Sequence, residues 1–105
     1  MFTGVASTEE NRTKPTVQLL RRELQGVQHR WYGFGLQLGL QPASLHIIRY
    51  DSGADCERCM VATCEMWLAT NYNACWQDVA DALTVIGYPV LAEDIKTKYC
   101  PCEYN

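Results

Sequence analysis

The stretch WQDVADALTVIGYPVLAEDI, Trp76 to Ile95, decides the fold class of this chain. From Trp76 the apolar residues recur at Val79, Leu83 and Ile86, steps of three and four that put them on one face of a helix. Gly87 supplies a stop, and Pro89 opens a shorter helix carrying Leu91, Ala92 and Ile95. The buried stripe offers no acid, base or nucleophile, so this stretch points to a surface as the product and not to a reaction.

Working upstream, Asp55 is a candidate cap for a helix reaching Asn71, with Met60, Cys64, Trp67 and Leu68 facing inward. Asn71-Tyr72-Asn73 breaks it, and Asn73 is the expected cap of the helix that ends at Ile86. Asp51 to Asp55 is a loop by composition, and Pro42 to Tyr50 reads as a short helix with Leu45 and Ile48 inward. Trp31, Phe34 and Leu38 share another face. Gly35 and Gly39 there allow a close neighbour or a turn. The first helix is expected over Val17 to Val27, capped by Thr16, with Val17, Leu20, Leu24 and Val27 inward and Arg21, Arg22 and Glu23 off that face. Gly26 weakens its last turn by about 1 kcal/mol. No segment alternates as a strand would, and no internal repeat is present. The expectation is all-α: residues 16–99 form six helices, preceded by a loose leader over 1–15 and followed by a frayed tail over 100–105.

The 105 residues, 48% hydrophobic and 20% charged, suffice for one domain with a single core. No run approaches the ~18 apolar residues of a membrane span, and residues 1–15 lack a secretory apolar block. That favours a cytoplasmic protein, or the cytoplasmic domain of a larger one. The net charge of −3 is uneven. Residues 1–49 hold six basic and three acidic side chains, +3; residues 50–105 hold three basic and nine acidic, −6. Such polarity suits head-to-tail docking with a copy or a similar partner, although solvated helix faces also carry charge runs.

Taken together, the pattern is Trp31-x-x-Phe34-Gly35-x-x-Leu38-Gly39-Leu40, then Leu45-x-x-Ile48, then Cys64-x-x-Trp67-Leu68. It closes with Trp76-x-x-Val79-x-x-Ala82-Leu83-x-x-x-Gly87-x-x-x-Leu91-Ala92-x-x-Ile95. It resembles the death domain family over residues 16–99. Phe34, Val79 and Cys64 depart from the family's usual residues while remaining apolar. The resemblance implies a six-helix antiparallel bundle in a death-domain-like Greek-key arrangement. It implies no catalysis and no cofactor, but homotypic binding to other death-domain proteins or to self, in signalling of the apoptosis or innate-immune type. Family contacts draw on the first and fourth helices, the end of the third with the loop after it, and the fifth and sixth. By location the candidate partner-binding residues are Arg21, Arg22, Arg49, Asp51, Asp55, Glu57, Arg58, Glu65, Asp78 and Asp81.

Other readings compete. Cys56-x-x-Cys59 with Cys100-x-Cys102 would make a four-thiolate zinc site only if the tail folded back onto the fourth helix. Cys56-x-x-Cys59 as a redox pair lacks the thioredoxin context of strand and sheet. Cys64 reads as a buried apolar residue and Cys75 as one partly covered beside Trp76. A disulfide framework is not needed for a core of this size, and Cys102 is followed by the wrong residues for a prenyl acceptor. Gly33, Gly35 and Gly39 have the wrong spacing for a dinucleotide fingerprint. Asn11-Arg12-Thr13 matches a glycosylation acceptor without a signal peptide to support it. His29 and His46 stand alone, which favours structural or surface roles. DNA binding through Arg21, Arg22 and Arg30 sits poorly with a pI near 5.2.

Overall fold

The computed structural model describes residues 14–100. The expectations for most of the leader, the Asn11 acceptor, Cys102 and the end of the tail lie outside the described residues. The described chain is all-helical. It runs through α1 (Val17–Glu23), a 3₁₀ segment (Gln25–Arg30), α2 (Trp31–Gln37), α3 (Pro42–Asp51), α4 (Cys56–Thr70), α5 (Trp76–Val85) and α6 (Pro89–Tyr99). The domain extends slightly further than expected at both ends. Pro15 is buried, and Cys100, half-buried, caps α6 by donating its N–H to the Lys96 carbonyl at 2.8 Å.

Local chemistry explains most helix boundaries. The Thr16 hydroxyl accepts the Leu19 N–H at 3.2 Å, and the Asp55 carboxylate accepts the Arg58 N–H at 3.0 Å. Pro42 and Pro89 open α3 and α6, where their missing N–H has no intrahelical partner to lose. Gly87, at φ +101°, donates to the Thr84 carbonyl at 3.2 Å. Tyr88 donates to Leu83 at 2.8 Å, which completes a Schellman stop for α5.

Two boundaries differ from the sequence expectation. α1 ends at Glu23, not Val27, because the chain tightens into the 3₁₀ segment with Val27 at φ −125°, ψ 20°. Leu20, Leu24 and Val27 stay buried through the change, so the apolar stripe survives a break in the helix that carries it. α5 is capped at Cys75 rather than Asn73. There the Asp78 carboxylate accepts the Cys75 N–H at 3.2 Å, so the helix's own third residue satisfies a donor that Asn73 was expected to serve.

The long α4 is the hub. It packs on α1, the 3₁₀ segment, α2 and α3, burying Cys59, Met60, Thr63, Cys64 and Trp67. α5 and α6 pack on each other as a hairpin, and α5 meets α2. Buried Trp76 stacks on Tyr99, ring centroids 3.8 Å apart and planes within 8°. Leu38, Leu68 and Leu91, expected to face inward, are half-buried and line the core's margin.

Gly35 is where α2 meets its neighbours most closely. A methyl group there would lie 2.8 Å from Leu45 Cδ2 and 3.0 Å from Thr63 Cγ2. Gly35→Ala is therefore expected to destabilise the domain by about 1–3 kcal/mol in a urea titration, through overpacking. At Gly26 an added Cβ meets nothing within 4 Å. Gly26→Ala should be neutral or stabilise by up to ~1 kcal/mol, by narrowing the unfolded ensemble. Equal losses at both sites would mean that steric contact at Gly35 is not what matters.

Candidate interaction surface

Five of the ten candidate residues come together. Arg21 from α1 and Asp55, Glu57, Arg58 and Glu65 from the cap and outer face of α4 line a shallow groove of about 490 Å³ floored by Val61 and Ala62. The spacing explains the gathering: positions 58, 61, 62 and 65 are i, i+3, i+4 and i+7, one stripe of α4. Across the groove Arg21 Nη2 donates to Glu57 Oε2 at 3.1 Å, with both side chains more than half exposed. Solvent screens such a pair, which contributes at most about 1 kcal/mol. The groove carries two cations and three carboxylates, a net −1.

The other five do not join it. Arg49 lies over the rings of Trp31 at 5.6 Å and Tyr32 at 5.3 Å, a cation–π contact that ties α3 to the start of α2. His46 Nε2 lies 3.4 Å from the Tyr32 hydroxyl in the same cluster. Asp51 is exposed at the end of α3. Asp78 is occupied in capping α5, and Asp81 accepts Gln77 Nε2 at 2.9 Å. Arg22 lies at the structural cluster described next, where its charge acts on the Tyr99 hydroxyl.

Glu23 corrects the sequence reading most sharply. Placed off the buried face by its spacing, its side chain is only 7% exposed. It accepts Lys98 Nζ at 3.1 and 3.2 Å and the Tyr99 hydroxyl at 2.8 Å, joining α1 to the end of α6. A helical wheel places Glu23 by α1 alone. It cannot show that the end of α6 covers it. Val61 and Ala62 were also missed, although their helical spacing from Arg58 was a usable signal.

The cysteines divide by exposure. Cys64 is buried, and burial pushes its thiol up to about 12. Cys75 is exposed, not partly covered, with Sγ 3.4 Å from an Asp78 carboxylate oxygen. Cys56 is exposed and Cys59 fully buried. Among the described residues no three His, Cys, Asp or Glu side chains gather as metal ligands, so Cys100 does not join Cys56 and Cys59 in the zinc arrangement considered from sequence. No helix of the described chain is long and apolar enough to cross a membrane.

Comparison with protein-family models, curated proteins and solved structures returned no match. The likeness to death domains therefore rests on the residue pattern alone.

The exposed Arg21–Glu57 pair separates binding from folding. Arg21→Glu is expected to move the melting temperature by no more than a few degrees while changing how the groove meets a charged partner. Arg22→Glu should cost more stability, because it replaces a cation that acts on Tyr99 with a carboxylate beside the nearly buried Glu23. Thermal melts of the two single variants check the contrast.

Proposed function

We propose that this domain is a non-enzymatic protein–protein interaction module, of death-domain type, acting in intracellular signalling of the apoptotic or innate-immune kind. Its partner is another helical domain of the same kind or a second copy of itself. The carrying observation is the groove between α1 and α4, where charges of both signs ring the Val61–Ala62 floor. Such a rim sets partner choice and association rate, while the floor supplies apolar area. The uneven charge along the chain, +3 in the first half and −6 in the second, supports heterologous docking, in which different faces of the two molecules meet. The groove's net −1 weighs against the DNA-binding reading.

The test is sedimentation velocity over a range of concentrations and salt, together with a pull-down by wild type and by Arg21→Glu and Glu65→Lys. Association that weakens with salt and falls about fivefold or more in either variant, with melting preserved, supports the reading. A chain that neither self-associates nor captures any protein in a groove-dependent way overturns it.

A further inference from the structure

We infer that Cys56 and Cys59 form a reversible dithiol–disulfide site whose co-reactant is a small disulfide of the glutathione class. The site is a modification site on a helical domain, not a thiol-redox enzyme.

Geometry carries the inference. Cys56 is the first residue of the 15-residue α4 and is exposed; Cys59 lies one turn on, fully buried against the core. The i, i+3 spacing puts their Cβ atoms about 5–6 Å apart on one face, whereas a disulfide needs about 3.5–4.5 Å. Cys56 can close that gap by itself. Its N–H is among those of the first turn that have no intrahelical acceptor. Cys59 is anchored by its N–H to the Asp55 carbonyl at 2.9 Å. Burial raises the Cys59 pKa, and the neighbouring Cys56 adds to that.

These placements assign the order of events. The exposed Cys56, as thiolate, attacks one sulfur of glutathione disulfide; the S–S bond breaks and one glutathione thiolate leaves. Cys59 then attacks the Cys56 sulfur of the mixed disulfide and expels the second glutathione, whose departing thiolate takes up the Cys59 proton. Two protein thiols are oxidised and one glutathione disulfide is reduced to two thiols. The second step is intramolecular, with an effective thiol concentration of about millimolar or more, so the glutathione adduct does not persist.

Cys75 provides an internal control. It too is exposed at the start of a helix, but the next four residues contain no second cysteine. The experiment equilibrates the full chain at graded ratios of reduced to oxidised glutathione, traps it by alkylation and maps tryptic peptides. Trypsin cuts after Arg49 and Arg58, so peptide 50–58 holds Cys56 alone; the next peptide, 59–96, holds Cys59, Cys64 and Cys75, which fragmentation and the variants below tell apart. Expected is covalent joining of these two peptides, reversed by reduced glutathione, while Cys75 carries a glutathione adduct. In Cys59→Ala, Cys56 should instead stop at the adduct; Cys64→Ala should leave the link intact. A wild-type Cys56 that ends as a stable adduct, or a link that survives Cys59→Ala, overturns the inference. Circular dichroism of each variant verifies that it is folded before the map is read.

Discussion

Trp76→Ala is expected to lower unfolding free energy by about 3–5 kcal/mol, a loss that leaves a domain of this size largely unfolded near physiological temperature. Trp76 is 2% exposed at the first residue of α5 and stacks face to face on Tyr99. Its removal therefore opens a cavity and deprives the α5–α6 hairpin of its anchor. A second variant isolates the cause. The buried indole Nε1 finds no hydrogen-bond acceptor among the described residues, and an orphaned donor of this kind costs about 1–3 kcal/mol. Trp76→Phe removes that donor while keeping a ring, so it should lose far less than the alanine variant. Urea midpoints for the two proteins decide the matter. Comparable losses would show that indole volume, not ring stacking, holds the hairpin.

Glu23→Ala is the second large effect, expected at about 2–3 kcal/mol. The carboxylate is nearly sealed from solvent and holds two donors from α6, one of them charged. Hydrogen bonds to charged groups contribute about 1.5–3 kcal/mol, and here Lys98, half exposed, recovers water when its partner goes. The loss is therefore below that of a fully buried pair. The same cluster gives a pH signature. Burial, and then the Glu23 carboxylate that accepts its hydroxyl proton, raise the Tyr99 pKa above the ordinary tyrosine value near 10, against an opposing effect of Arg22. A folded-state pKa raised in this way contributes stability that is whole below the unfolded value and vanishes as pH climbs through the folded one. Wild type should thus lose stability above about pH 10 more steeply than Tyr99→Phe, as read from melts across that range. Identical alkaline profiles would remove Tyr99 from the account.

The α5–α6 stretch was legible because its signals are local: the Trp76–Val79–Leu83–Ile86 stripe, the Gly87 stop and the Pro89 start each depend on a few neighbours. The same holds for the Thr16 and Asp55 caps and for the close approach at Gly35. What stayed hidden depends on partners distant in the chain. Glu23 looked solvated because α1 alone cannot reveal that α6 covers it. Arg49 and Arg22 looked free for docking, yet one lies over aromatic rings of α2 and the charge of the other acts on Tyr99. Charge in the sequence marks a side chain as exposed far more reliably than it marks it as unengaged. The α1–α4 groove fell between these cases: its charges were picked by location, while its Val61–Ala62 floor went unnoticed.

The clasp between Glu23 and the Lys98–Tyr99 pair spans 75 and 76 positions of chain. During synthesis at roughly 5–20 residues per second, α1 waits about 4–15 seconds for the segment that covers its acidic end. A nascent polypeptide halted before α6 leaves Glu23 wet and Trp76 without its stacking mate, so it is exposed to proteases and chaperones until α6 emerges. Maturation of this domain is thus governed by when α6 emerges from the ribosome, rather than by how quickly its helices can form.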